Sequence, residues 1–96
     1  MVELALLTYV YVDDMASRRE PHRDGHLALI GEFADAGRLF MAGAIGEEPS
    51  GGALVFADAA AAEEFVANDP YIAAGLVPER SIAPFKVVSS KPVPGA

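Results

Sequence analysis

"VELALLTYVYV", residues 2–12, is the stretch on which the fold turns. Side chains alternate along a strand, so Val2, Leu4, Leu6, Thr8, Val10 and Val12 share one face and Ala5, Leu7, Tyr9 and Tyr11 the other. Both faces are largely apolar, which is the pattern of a strand in the middle of a sheet. A signal peptide would carry Lys or Arg where Glu3 stands, and would not alternate. No apolar run reaches the ~20 residues that span a bilayer.

Downstream, "DDMASRREP" reads as a loop, and Pro21 suits the first turn of a helix, where its missing N–H is not needed. That helix is expected from about His22 to Ala36, with Gly37 as its stop. At 100° per residue His26, Leu29, Ile30 and Phe33 share one arc, while Asp24, Gly31, Glu32 and Asp35 fall opposite. His26 therefore points inward with the apolar stripe. "RLFMAGAI" (38–45) is a second strand, "GEEPSGG" a hairpin loop and "ALVFA" a third strand. Asp58 can cap a second helix, "AAAAEEFVAN". In "DPYIAAG" Asp69 is the N-cap of a separate turn, Pro70 its first residue and Gly75 its stop. "ERSIAPFKVVS" is the last strand, and Pro84, which cannot donate to a ladder, marks it as an edge.

The order β-α-β-β-α-β is the ferredoxin-like pattern of the α+β class. Right-handed crossovers give an antiparallel sheet of order 4-1-3-2 with two helices on one face. The expected organisation is a single domain over 1–88 and a flexible tail over 89–96. In this topology the start of the first helix lies near the end of the second, which brings His26 and Arg23 toward Asp69 and the end of the first strand. Asp35 is a poor partner for His26, because nine residues of helix separate them by about 13.5 Å of rise. A carboxylate on one imidazole nitrogen sets the tautomer and frees the other nitrogen for proton transfer. Each residue also has a plainer role: His26 as a hydrogen-bonded core residue, Asp69 as a cap, Arg23 as a solvated cation, and Tyr9 and Tyr11 as packing, dimer contact or pocket wall.

Composition excludes several classes. The chain has 96 residues, a net charge of −7 and only seven scattered Lys and Arg, so it has no basic stripe for nucleic acid. It has no cysteine, hence no disulfide and no thiolate ligand, in keeping with a cytoplasmic address. His22 and His26 are four apart, as metal-binding pairs on helices are, but Arg23-Asp24-Gly25 lies between them and no third His or Cys exists. Neither a metal nor a cofactor is expected. So short a chain leaves much surface uncovered, for which dimerisation is the common remedy.

"RDGHL" (23–27), "GRLFMAG" (37–43), "NDPYIAAG" (68–75) and "APFK" (83–86) occur in the order and spacing of the YciI-like (YCII-related) family, which the chain resembles from its first strand to about Val88. The resemblance implies a ferredoxin-like fold, homodimers built as dimeric α+β barrels, and a His–Asp active site. By motif position these residues are His26 and Asp69, with Arg23 as the arginine three before the histidine. The sequence departs from the family pattern at Ala44, where a proline is usual, and at Gly52–Ala53, where some members carry a serine. His22 matches nothing in the pattern. The resemblance points to dehydrochlorinase-, lyase- or isomerase-type chemistry on small cyclic organic acids or phenols.

The expectation is thus a cofactor-independent enzyme in which His26 and Asp69 form the acid/base pair. Arg23 and Tyr9 would contact a small-molecule substrate. The alternative is a non-catalytic ligand-binding or regulatory homodimer of the same fold.

Overall fold

In the computed structural model, which describes residues 1–95, the alternation along β1 (Val2–Val10) sorts its side chains as the sequence pattern requires. Ala5, Leu7 and Tyr9 are buried, whereas Leu4, Leu6 and Thr8 are half-buried on the opposite face. β1 leaves the ladder two residues earlier than expected, because Tyr11 N–H turns to Ser50 O and Val12 N–H to Leu76 O.

β1 is followed by α1 (Met15–Arg18), α2 (Glu20–Asp35), β2 (Leu39–Ile45) and β3 (Gly51–Phe56), then by α3 (Ala59–Asn68), α4 (Pro70–Ala73) and β4 (Glu79–Val87). The sheet order β2-β3-β1-β4 is the expected 4-1-3-2, with every pairing antiparallel. β4 is an edge strand, so Pro84 sits where no ladder donor is lost. The C-terminal tail expected over 89–96 follows β4, and its last residue, Ala96, lies outside the described residues. Among the described residues no helix is long and apolar enough to cross a membrane.

The stretch read as a loop before the first helix is in part helical. Met15 is driven into the core and nucleates the single turn α1, and α2 begins at Glu20, two residues before His22. Pro21 then occupies the first turn. Gly37, at φ 72°, closes α2 as expected.

The helices cover one face of the sheet. There Phe33, Phe56 and Phe65 pack edge-to-face or tilted, with ring centroids 5.2 to 6.0 Å apart. Burying each such ring contributes about 1.5–3 kcal/mol. The other face has no covering layer. It presents Leu4 and Leu6 of β1, Val55 of β3, Met41 and Ile45 of β2 and Phe85 of β4, and among the described residues Glu79 is its only charged strand residue.

α3 is capped by Asp58, whose Oδ1 accepts from Ala61 N at 2.8 Å. It ends because Asp69 precedes a proline and is pushed to an extended backbone, φ −75° and ψ 120°. Asp69 is therefore the joint between α3 and α4. Gly25 of α2 faces this joint: a Cβ there would stand 3.1 Å from Pro70 Cγ, so a glycine lets the two helical segments close up.

Candidate active site

An aspartate before a proline at a helix start is a common cap, and Asp69 does accept from Tyr71 N, through Oδ1 at 3.0 Å. What a cap does not require is burial, and Asp69 is only 2% exposed. A carboxylate out of water must have its lone pairs occupied. Oδ1 also meets His26 Nδ1 at 2.8 Å, and Oδ2 accepts from the Tyr9 hydroxyl at 2.7 Å. Three donors from three elements thus converge on one carboxylate.

As acceptor of these bonds, Asp69 selects the Nδ1–H tautomer of neutral His26 and leaves Nε2 with a free lone pair. The imidazole is fixed further by lying flat on Tyr71, 3.8 Å between centroids and 9° between planes, with Phe65 edge-on at 6.0 Å. His26 is 6% exposed, and what remains open faces a cavity of about 200 Å³. A dry cavity of about 150 Å³ admits benzene, so this space suits one substituted ring.

The cavity lies between α2 and the β2 end of the sheet. Its polar wall is Tyr11, Arg19, Arg23, His26 and Tyr71; Ala42, Ala44, Leu54 and Ile30 supply apolar wall. Among the described residues no carboxylate lines it. Arg19, Arg23, His26 and Ile30 follow one another at intervals of four, three and four, which keeps all four within about 60° of one helix face. Among the described residues neither arginine is in an ion pair, and Arg19 Nε is buried with no hydrogen-bond partner. An unmade bond of that kind costs about 1–3 kcal/mol.

Burial raises all three phenols above their usual pKa. Tyr9 is shifted furthest, by burial first and then by the charge and hydrogen bond of Asp69, with Tyr11 adding to them against the opposing Arg80. Tyr11 is pushed up to about 12 by burial and the neighbouring Tyr71 and Asp69, against the pull of Arg19. Tyr71 is raised by burial while Arg19 and Arg23 oppose the shift. These hydroxyls therefore stay protonated at neutral pH and act as donors.

Of the residues expected at the site, His26 and Asp69 meet directly, and Arg23 lines the cavity. Tyr9 does not line it. At 1% exposed it stands behind Asp69 and holds the carboxylate, so the substrate contact expected of it is not what this position provides. His22 is not part of the cavity wall, and among the described residues no group of three His, Cys, Asp or Glu stands close enough to share a metal.

Sequence reasoning missed Arg19 and Tyr71. The stripe of Arg19, Arg23, His26 and Ile30 was the available signal, but it is visible only if the helix frame extends back through Pro21. A Cβ on Gly52 would stand 2.8 Å from Tyr11 Oη, so the glycine makes room for that phenol.

Fold and site together define a small α+β domain in which a buried His–Asp pair stands beside a cavity of about 200 Å³. The YCII-related domain family matches residues 3–86, and the protein belongs to that family. No curated protein matches the chain. Among solved structures it is similar to the 5-chloro-2-hydroxyhydroquinone dehydrochlorinase TftG of Burkholderia phenoliruptrix, in complex with 2,5-dihydroxybenzoquinone. That match has a TM-score of 0.71 at 20% identity over 86% of this chain and 93% of the other. It is also similar to a candidate antibiotic biosynthesis monooxygenase of Bacteroides thetaiotaomicron, with TM-score 0.56, 17% identity and coverage of 99% and 94%. A protein of unknown function from Nitrosomonas europaea matches at TM-score 0.52 and 21% identity, over 99% and 98% of the two chains. At these identities the likeness is one of fold.

Proposed function

We propose that the protein is a cofactor-independent acid/base enzyme acting on a small cyclic organic substrate, with His26 Nε2 as the group that takes and returns the proton. The observation that carries this reading is the chain of fixed contacts from Tyr9 and the Tyr71 N–H through Asp69 to Nδ1 of His26, a residue that lines the cavity and whose Nε2 is left with its lone pair. A base set in one tautomer by a buried carboxylate needs no reorganisation when the proton moves. The cavity takes one ring, which suits elimination, tautomerisation or isomerisation on a phenol or cyclic acid. Dehydrochlorination, the reaction in the name of the TftG enzyme, is the first to try. There a proton and a chloride leave the substrate together and no redox partner is required.

The working unit is a homodimer formed through the bare face of the sheet. A second copy is the occupant that fits, because that face is apolar and nearly free of charge in a chain of net charge −7. Two acidic molecules meet with least repulsion on such a surface. Analytical ultracentrifugation of wild type and Phe85→Glu tests this point: the dimer should dissociate in the variant, and a wild type that is monomeric at 100 µM, on the order of a typical micromolar assembly limit, overturns it.

The activity test is chloride release and quinone absorbance from 5-chloro-2-hydroxyhydroquinone and related chlorinated phenols, for wild type and His26→Gln. Turnover should fail in the variant while the far-UV spectrum is unchanged. Equal turnover by the two proteins removes His26 from the chemistry. Binding of 2,5-dihydroxybenzoquinone with no turnover of any ring substrate makes the protein a ligand-binding module instead.

A further inference from the structure

Building on the acid/base reading, we propose that Arg19 and Arg23 form a clamp for an oxyanion of the substrate, so that the site selects a planar ring carrying an ionised carboxylate, enolate or phenolate. The clamp places that group between the two guanidinium groups and the Tyr11 and Tyr71 hydroxyls, and thereby sets the rest of the ring against His26 Nε2.

Charge distribution is the first reason. The chain has 14 acidic and seven basic residues, yet among the described residues the cavity lining holds two arginines and no carboxylate. Asp69, which holds His26, is used up by three donors within the fold. Two cations left without a counter-charge in an acidic protein mark a place for an anion from outside.

The second reason is the unmade bond at Arg19. Its Nε is buried and has no acceptor among the described residues. The backbone fixes this arrangement, since Arg19 is at once the C-cap of α1 and the N-cap of α2. Its N–H is held by Met15 O at 2.9 Å. A forked guanidinium with a free donor matches the two oxygens of a planar anion better than a lysine would.

The third is the pair of phenols. Both hydroxyls remain protonated near neutral pH, so each can donate to an oxyanion rather than repel it. Arg19, Arg23 and Tyr71 line the same cavity, and the two cations oppose the rise in the Tyr71 pKa. The cavity volume of about 200 Å³ leaves room for one ring and its substituents and no more.

The test is isothermal titration calorimetry with two probes of nearly one shape. 2,5-Dihydroxybenzoquinone is a vinylogous acid and binds as an anion; 2,5-dimethoxy-1,4-benzoquinone is its neutral ether. The wild type should prefer the anion by about tenfold or more, and that preference should shrink as salt is raised. Arg19→Gln should weaken anion binding by about 10- to 100-fold, the loss of one charge-assisted contact, while the ether is little affected. Arg19→Lys should recover part of the loss.

Arg19→Gln should melt no lower than wild type, because the side chain it removes leaves a donor unsatisfied. A merely structural role for Arg19 predicts a lower melting temperature instead. The clamp is overturned if the wild type treats the two probes alike, takes up no anion, or keeps its affinity in Arg19→Gln. His26→Gln separates the clamp from the acid/base reading. Anion preference retained there, together with retained turnover, sinks the base and leaves the clamp. Wild-type turnover that survives Arg19→Gln undiminished does the reverse.

Discussion

Two cavities of about 200 Å³ open on the protein, one beside the end of β1 and one beside its start. The second is lined in part by Glu3, Leu4, Ala5, Asp58, Ile82 and Pro84, so among the described residues it holds two carboxylates, no histidine and no cation. Asp58 is exposed and spends an oxygen on the first turn of α3. In the first cavity the carboxylate lies behind the wall and is spent on holding a histidine, while two arginines and two phenols line the cavity, and among the described residues neither arginine is in an ion pair. Equal volume therefore does not make equal sites. A site is distinguished by polar groups that the fold has positioned and has not itself used.

The sharpest way to break this contrast is at His26. His26→Gln should lower turnover by about 10²–10⁴-fold, the usual contribution of a positioned acid/base, and steady-state kinetics on a responsive substrate will show it. Next in size is the support beneath it. Asp69→Ala leaves Tyr9, the Tyr71 N–H and His26 without their common acceptor in the core, and should cost about 3–5 kcal/mol. In a domain of this length that lowers Tm by more than about 10 °C, measurable by circular dichroism. Tyr9→Phe removes one bond to the same carboxylate and keeps the ring, so a loss of about 1.5–3 kcal/mol is expected.

The phenols also fix the alkaline limit. A tyrosine whose pKa is raised in the folded state keeps its proton there after the unfolded chain has released its own near pH 10. The stability it contributes is complete below pH 10 and is lost as pH rises through the folded value. For Tyr11 that window runs from pH 10 to about 12, and Tyr9 and Tyr71 act in the same direction. Thermal melts should therefore hold steady up to pH 10 and fall above it, and the fall should be shallower in Tyr9→Phe. The smallest effect belongs to the second cavity. Asp58→Ala should cost about 1 kcal/mol through the lost cap and leave ligand binding unchanged.

Much of this arrangement was legible in the chain itself. The alternation of residues 2–12 placed β1 in the centre, Pro84 placed β4 at an edge, and the two agree on one strand order. From that order alone His26 and Asp69 were expected to meet, and they do, at 2.8 Å. Pairing over a distance of 43 residues could be read because both partners sit at element ends whose positions the topology dictates. Arg19 was obscured because Pro21 looked like a helix start, whereas the helix frame reaches back to Glu20 and Arg19 caps it. Tyr9 was legible as an inward-facing strand residue but not as the support of Asp69.

Sequence by itself determined what is local or combinatorial: the four strands and the main helices though not the turn α1, which faces are apolar, the order of the sheet, and the two residues of the buried His–Asp pair. These follow from periodicity, capping chemistry and the few crossovers a chain can make. Tertiary structure alone decided how the side chains were spent. The phenol of Tyr9 and the carboxylate of Asp69, 60 positions apart, come within 2.7 Å only once sheet and turn are packed. The same packing left Arg19 without a partner. Hydrogen bonds are decided at a scale of tenths of an ångström, which close packing sets and residue order does not.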